Sequence, residues 1–146
     1  MLLAHQDLDH PTQVSRLRLK LYPYENTLGV VRLSGSQVKQ VLEKSASLLS
    51  TYDFTHGKAL FEPGAPTYNF DALGGAEYTL DLLQPVGHRV TNLRVKDEPV
   101  RDEKTYTVAV NSYREFGGGG YPAIPTAPRM FQSPMSVRDH IADWIM

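Results

Sequence analysis

Residues 105–122 read Thr-Tyr-Thr-Val-Ala-Val-Asn-Ser-Tyr-Arg-Glu-Phe-Gly-Gly-Gly-Gly-Tyr-Pro, the most informative stretch of the chain. β-Branched and aromatic residues recur at every second position over 105–110, which predicts a strand. Tyr113 comes shortly after this strand, and after three further residues the chain has four consecutive glycines, which carry no side chain: Gly117, Gly118, Gly119 and Gly120. Because glycine lets another group approach the backbone closely, a ring beside this loop suits a flat polar heterocycle. A tight turn with one core tyrosine explains the same residues, and the stretch alone leaves both interpretations open.

The bulk composition is that of an ordinary globular protein. The 146 residues are 41% apolar and 21% charged, and their number suits one domain with a hydrophobic core. A net charge of −1 creates no field that would attract a nucleic acid polymer or an anionic membrane, so neither is expected as a partner. The absence of cysteine excludes disulfides, thiolate catalysis and cysteine-ligated metal centres. No run approaches the roughly 20 apolar residues of a membrane span.

The first eleven residues are predicted to be a flexible, polar N-terminus. They contain four residues of metal-ligating type: His5, Asp7, Asp9 and His10. No regular element holds these residues and no second ligand set is near in sequence, so we predict no metal site. The start also lacks a basic region and a long apolar region, and therefore does not resemble a signal peptide.

The order of the remaining elements predicts an α+β fold. Residues 12–22 fit either a half-buried strand or an amphipathic helix, and the pattern does not decide between them. Beyond them, apolar periodicity predicts strands over 28–33, 78–82, 89–95 and 105–110, and helices over 36–50 and 136–145. Because a run of antiparallel-looking strands follows one long helix, we expect a single domain over 12–146 with a mixed or antiparallel sheet.

Three further predictions concern segments between and after these elements. Residues 68–71 are expected to be extended, as is the segment past the glycines that contains Pro122, Pro125 and Pro128. Ser136 should begin the last helix, with Asp139 supplying a carboxylate like that of a capping box. The apolar stripe of that helix includes Trp144, which is therefore predicted to lie in the core.

Six segments, in order along residues 12–125, resemble the C-terminal domain of the 5′-nucleotidase family. The segments are 22–28, 33–39, 42–46, 68–71, 85–90 and 111–122. The tyrosines and the sequence Tyr-Asn-Phe-Asp at 68–71 are closer to the 2′,3′-cyclic-nucleotide 2′-phosphodiesterase/3′-nucleotidase branch. The resemblance therefore implies a domain that binds nucleotides or nucleosides.

The family resemblance also implies roles for particular residues. In that family the base lies between two aromatic rings, and the matching positions here are Tyr24 and Tyr113. Asn26 matches a residue that forms hydrogen bonds with the base. Stacking on an aromatic ring contributes about 1–3 kcal/mol per base and tolerates different bases. The amides of the four glycines could satisfy ribose hydroxyls beside the rings.

Catalysis is expected to lie outside this sequence. In the family an N-terminal metallophosphoesterase domain holds two divalent metal ions and hydrolyses the substrate that the C-terminal domain presents. This chain lacks that domain and the Asn…Arg segment that precedes the aromatic turn, and its five histidines are dispersed. We therefore predict no catalytic residue, no cofactor and no hydrolysis by this chain alone. Gly119 also replaces the acidic residue that binds ribose in many 5′-nucleotidases, which favours the cyclic branch.

Two functional hypotheses remain open. The first is a specificity domain, a fragment or one part of a split enzyme, whose other partner is a metallophosphoesterase domain or chain. The second is a degenerate remnant that no longer binds nucleotides and serves in protein association. Members of the family are usually periplasmic, secreted or bound to the cell wall, but the sequence assigns no compartment.

Overall fold

The computed structural model of the chain describes residues 22–53 and 59–145. The predicted flexible N-terminus, residues 1–11, lies outside the described residues. So do residues 12–21, for which strand and helix were both open.

Within the described residues, six strands form two antiparallel sheets, which confirms the α+β class. One sheet has the order β5-β1-β6 and the other the order β2-β3-β4. The strands are β1 (Thr27–Ser34), β2 (Glu77–Leu80), β3 (Val90–Val95), β4 (Glu98–Pro99), β5 (Thr105–Asn111) and β6 (Arg129–Ser136). In the first sheet β1 is central, and Leu28 is opposite Asn111 at the end of β5.

The described helices are α1 (Gly35–Ala46), α2 (Ser112–Glu115) and α3 (Val137–Ile145). Short 3₁₀ turns lie at Thr67–Asn69 and Gly118–Gly120. No helix in residues 22–53 and 59–145 has the length and apolar character needed to cross a membrane.

Strand β1 leads directly into α1 because of its local sequence. Gly29, Val31 and Leu33 are buried at every second position, which fixes one face of the strand against the core. Ser34 then caps α1 in a reciprocal capping box with Gln37. The core around this junction consists of Val31, Leu33, Val38, Ala123 and Ala127, with partly buried neighbours from β3 and β5.

The buried Arg89 and Glu43 join α1 to the second sheet. Arg89 Nη1 donates to the carbonyls of Ala46, at 2.8 Å, and of Leu49, at 2.6 Å. The Glu43 carboxylate accepts from the backbone amides of Arg89, at 3.0 Å, and Val90, at 2.7 Å. The helix ends at Ala46 rather than at the predicted residue 50, and Arg89 satisfies carbonyls that the end of the helix leaves without an intrahelical partner.

Two predictions about connecting segments were wrong. Residues 67–69 form a 3₁₀ turn, closed by bonds from the Asn69 and Phe70 amides to the carbonyls of Pro66 and Thr67, so Tyr68 and Asn69 are not extended. The segment with Pro122, Pro125 and Pro128 is not extended but runs through bends and a turn, in which the Ala127 amide donates to the Ile124 carbonyl at 3.1 Å. It leads into strand β6, which was not predicted. The residues of β6 do not alternate between apolar and polar and include Pro134, so the sequence pattern did not indicate a strand. The pairing of β6 with β1 also contains register shifts.

The predicted cap of α3 is present in modified form, but the predicted burial of Trp144 was wrong. Ser136 Oγ accepts from the Asp139 amide and donates to the Asp139 carboxylate. Trp144 is 87% exposed, whereas Ala142 is buried. The two residues are about 200° apart around the helix, so they cannot share a buried face. The stripe with Trp144 instead lines an open apolar groove of about 470 Å³.

Candidate functional site

One cleft contains the three predicted site residues that carry side chains. Tyr24 and Asn26 enter it from the turn before β1, and Tyr113 enters it from α2. The cleft has a volume of about 440 Å³, and its other lining residues are Tyr22, Tyr68, Asp71, Asn111 and Arg114. The fold therefore brings together residues that are far apart in sequence.

The turn that carries Tyr24 is held by hydrogen bonds to Tyr22. The side-chain Nδ2 atoms of Asn26 and Asn111 both donate to the Tyr22 hydroxyl, at 3.1 and 3.2 Å. The ring of Tyr24 meets the ring of Tyr22 edge to face, with 6.1 Å between their centroids. Tyr24 itself is 63% exposed, so most of its ring surface is accessible from the cleft and solvent.

Tyr113 lies on α2, which begins where β5 ends. Asn111 caps α2 by accepting a hydrogen bond from the Arg114 amide at 2.9 Å. A Cβ atom at Gly118 would lie 2.5 Å from three atoms of the Tyr113 ring, so the glycine backbone packs directly against that ring. Tyr113 is 43% exposed, which excludes the interpretation in which it is the core tyrosine of a tight turn.

The core tyrosine of this region is Tyr121, which is 1% exposed. Its hydroxyl donates to the Asn69 carbonyl at 2.7 Å. Burial raises the pKa of Tyr121 above its ordinary value, so the neutral phenol is favoured in the folded protein.

Arg114 lies between the two tyrosines and is almost fully buried. The central carbon of its guanidinium is 5.0 Å from the ring centroids of both Tyr113 and Tyr121. Its Nε and Nη2 atoms donate to the two carboxylate oxygens of Asp71, at 2.6 and 2.9 Å. Burial opposes the charge, but the hydrogen bond and the negative charge of Asp71 prevail and raise the pKa of Arg114.

A family model described as the C-terminal domain of 5′-nucleotidases matches residues 13–126. This match includes every residue that lines the cleft. The chain belongs to the 5′-nucleotidase C-terminal domain family.

Relatives of this 5′-nucleotidase C-terminal domain include bacterial nucleotide phosphoesterases. The chain is 35% identical over 140 residues to the 2′,3′-cyclic-nucleotide 2′-phosphodiesterase/3′-nucleotidase of Haemophilus influenzae, a match that covers 86% of this chain and 21% of that protein. It is 31% identical over 140 residues to the trifunctional nucleotide phosphoesterase protein YfkN of Bacillus subtilis, covering 86% of this chain and 10% of YfkN. The chain therefore spans about a fifth or less of the length of these relatives.

Solved structures support the same family fold. A Staphylococcus aureus protein assigned as a 5′-nucleotidase, solved with α-ketoglutarate, aligns with a TM-score of 0.79 at 30% identity. That alignment covers 89% of this chain and 26% of the other. The 5′-nucleotidase precursor of Thermus thermophilus aligns with a TM-score of 0.65 at 25% identity, covering 88% and 24% of the two chains.

The four glycines of this 5′-nucleotidase domain lie next to the residues of the cleft rather than among those that line it. Gly118 packs against Tyr113, and a Cβ atom at Gly119 would lie 2.5 Å from Arg114 Nη1 and 3.0 Å from Asn69 Oδ1. Gly119 also has a φ of +79°, which disfavours any side chain. An acidic residue at position 119 therefore has no room here. The amides of Gly117 and Gly120 already donate to the carbonyls of Arg114 and Gly117, both at 3.1 Å, so these two are not free for ribose as predicted. Hydrogen bonding from the other two glycine amides to ribose stays a prediction.

Two polar residues of the region had no role in the sequence-based prediction. Asp71 and Arg114 both stand inside motifs that resemble the family, but their pairing depends on tertiary structure. The signal available in sequence was a charged residue within each otherwise aromatic or glycine-rich motif. A third charged residue, Glu115, is 1% exposed and forms an ion pair of 2.8 Å with the half-exposed Arg129.

Among residues 22–53 and 59–145, no three histidine or acidic side chains come together as metal ligands would. The two metal ions implied by the family therefore have no set of ligands in the described part of this chain. We assign no metal-binding role to its residues.

Proposed function

We propose that this chain binds nucleosides and nucleotides, and that it holds the base between the rings of Tyr24 and Tyr113. It would act as the specificity domain of a 2′,3′-cyclic-nucleotide 2′-phosphodiesterase/3′-nucleotidase or of a 5′-nucleotidase. The proposal rests on the finding that both tyrosines line one cleft and stay accessible, Tyr24 to 63% and Tyr113 to 43%. Exposure of aromatic ring surface to water is unfavourable, and exposed aromatic rings in a cleft are typical of ligand sites.

The chemistry of the cleft suits a heterocyclic base. Every base has a π-face, and each stacking contact contributes about 1–3 kcal/mol, so two rings provide affinity with little base selectivity. The Asn26 carboxamide uses one N–H on Tyr22, and its oxygen accepts from Ser112 Oγ at 3.5 Å. A second N–H and one lone pair of that oxygen are left for the edge of a base. This arrangement predicts that purines of different substitution bind with similar affinity.

Hydrolysis is proposed to come from outside this chain. A metallophosphoesterase domain or a separate metallophosphoesterase chain, holding two divalent metal ions, would clamp the attacking and leaving oxygens of the phosphoester. The residues described here would then select and hold the nucleoside part of the substrate. We assign no catalytic residue to this chain.

Calorimetric titration with adenosine tests the proposal on the 146-residue chain. We expect weak binding, in the micromolar to millimolar range, by the unsubstituted protein. Removal of one stacking ring in Tyr24→Ala or Tyr113→Ala should weaken it about 5- to 150-fold, which corresponds to 1–3 kcal/mol. Tyr52→Ala removes an exposed tyrosine that does not line the cleft and is the matched control. Equal heats for all four proteins would refute base stacking at this site.

A second function, protein association, is favoured by the surface around α3. Trp144 is exposed beside an apolar groove lined by Leu28, Val137, His140 and Ile141. Exposed apolar patches of this kind often mark interaction sites. Sedimentation velocity over a wide concentration range tests self-association, which Trp144→Ser should then abolish. If the protein is a monomer at every concentration and binds adenosine, self-association is refuted and the nucleotide-binding function is supported.

A further inference from the structure

The geometry points to Arg114 as the residue that positions Tyr113 for base stacking, without itself donating a hydrogen bond to the ligand. This inference rests on the proposed nucleotide-binding function. It gives Arg114 a role different from that expected of an arginine in a nucleotide site, where a guanidinium would ordinarily bind phosphate.

The hydrogen bonds of Arg114 leave no donor free for a ligand. A guanidinium has five N–H groups. Besides the two bonds to Asp71, Nη1 donates to Asn69 Oδ1 at 2.9 Å and to the Gly118 carbonyl at 3.2 Å. Nη2 also donates to the Tyr68 carbonyl at 3.1 Å. All five N–H groups therefore have acceptors within the protein.

These bonds connect three chain segments that meet behind Tyr113. The first segment is residues 68–71, the second is the glycine loop at Gly118, and the third is α2, which carries both Arg114 and Tyr113. Because the Gly118 backbone also packs against the Tyr113 ring, the bond from Arg114 to Gly118 fixes the surface on which that ring lies. The guanidinium also contacts the ring directly.

Asp71 makes this arrangement rigid because its own backbone is fixed on α1. Ser45 Oγ donates to the Asp71 carbonyl at 2.6 Å and accepts from the Asp71 amide at 2.7 Å. Ser45 is buried on α1, so the position of Asp71 follows that of the helix. A continuous set of hydrogen bonds and ring contacts therefore runs from α1 through Asp71 and Arg114 to the Tyr113 ring.

Lysine cannot reproduce this set of contacts. Its ammonium keeps the charge but has three donors and no planar fork, so it cannot serve Asp71, Asn69 and two carbonyls together. Arg114→Lys therefore separates geometry from charge. With lysine present, Tyr113 and the glycine loop should lose their fixed relation while the net charge of the cleft stays the same.

The test compares the unsubstituted chain with Arg114→Lys in two measurements. Calorimetry should give binding of adenosine and of adenosine 5′-monophosphate that is about 5- to 20-fold weaker in the variant, which is part of the loss expected for a missing ring. The loss should be the same for both ligands, because Arg114 does not contact phosphate. Arg94→Lys, an arginine that binds a backbone carbonyl away from the cleft, should leave both affinities unchanged.

The second measurement follows the tyrosine rings by NMR of protein with ¹³C-labelled tyrosine. The Tyr113 ring signals should shift or broaden in Arg114→Lys, whereas those of Tyr52 should not. Unchanged Tyr113 signals, or wild-type affinity for adenosine, would overturn the positioning role. A loss confined to the monophosphate would also overturn it, because Arg114 would then be a phosphate ligand.

Two further controls keep the outcomes separable. If the unsubstituted chain binds neither ligand, the proposed function fails, and the ring signals still decide whether Arg114 positions Tyr113. If Arg114→Lys does not fold, the variant Asp71→Asn is used in its place. Asparagine keeps the shape of the aspartate side chain but removes one of the two oxygen acceptors of Arg114. About 3-fold weaker adenosine binding by Asp71→Asn supports the inference, and wild-type affinity refutes it.

Discussion

Tyr113 and Tyr24 line the same cleft, but the chain supports the two rings very differently. Tyr113 packs on Gly118 and Arg114, and Arg114 bonds its own helix α2 to residues 68–71 and to the glycine loop. Tyr24 is more exposed and contacts the ring of Tyr22 edge to face. We call the ring of Tyr113 with Gly118 and Arg114 the Tyr113 wall of the cleft, and the ring of Tyr24 the Tyr24 wall. By the contacts described, the Tyr113 wall is held in position before a ligand binds, whereas the ring of the Tyr24 wall can still change its orientation.

This difference has a physical consequence for binding. A preformed wall has little conformational entropy left to lose, so most of its stacking energy contributes to affinity. An exposed ring on a turn must be ordered when the base enters, which offsets part of its contribution. We therefore expect the Tyr24 wall to close on a base that already lies on Tyr113.

The largest expected effect comes from disturbing the preformed wall at Gly118. A methyl group in Gly118→Ala would meet the Tyr113 ring at 2.5 Å and should displace it, which weakens adenosine binding about tenfold or more. Gly74→Ala is the matched control, because a Cβ there meets no atom within 4 Å. Calorimetry measures both variants. If Gly118→Ala bound as tightly as Gly74→Ala, the Tyr113 wall would not depend on this contact.

A smaller effect is expected from loosening the Tyr24 wall. Tyr22→Phe removes the hydroxyl that accepts hydrogen bonds from Asn26 and Asn111. The loss should lower the free energy of unfolding by about 1 kcal/mol and weaken adenosine binding about 3-fold. Urea denaturation and calorimetry measure the two quantities. Tyr106→Phe is the control, because it removes a hydroxyl that accepts from the Arg101 amide away from the cleft. An effect of Tyr22→Phe on binding as large as that of Gly118→Ala would contradict the proposed difference between the walls.

The smallest effect concerns pH and the buried ring behind Tyr113. Because the pKa of Tyr121 is raised in the folded state, the folded protein holds this proton more tightly than the unfolded chain. The resulting stabilisation is complete below the ordinary tyrosine pKa of 10.0 and is lost as the pH rises above it.

The comparison of the unsubstituted protein with Tyr121→Phe isolates this contribution, since every other titrating group is retained. The difference in free energy of unfolding between the two proteins should shrink as the pH rises past 10.0. Urea denaturation at several pH values measures it. A difference that stays constant with pH would mean that Tyr121 titrates alike in the folded and unfolded chains.

The sequence predicted most of what local pattern and motif control. The residue pattern predicted strands over 28–33 and 105–110, where β1 and β5 lie, and the motifs around Tyr24, Asn26 and Tyr113 identified side chains that line one cleft. Strand β6 was not predicted because its residues do not alternate and it contains a proline. Periodicity also failed for Trp144, because an apolar stripe predicts amphipathicity but not which face of the helix packs.

The support of the site could not be predicted because it depends on contacts between distant segments. The bidentate bond from Arg114 to Asp71 joins residues 43 positions apart. Nothing in the local sequence distinguishes this buried arginine from one that would contact a phosphate. The number of its donors that already have partners becomes known only when residues 68–71 and the glycine loop are in place.

In the proposed complex a base lies between the rings of Tyr24 and Tyr113. Intermolecular nuclear Overhauser effects between adenosine and the 146-residue chain with ¹³C-labelled tyrosine test it most directly. We predict contacts from the adenine protons to the ring protons of both Tyr24 and Tyr113 in the same complex. Contacts to only one of these rings, or to neither while adenosine is bound, would contradict the claim.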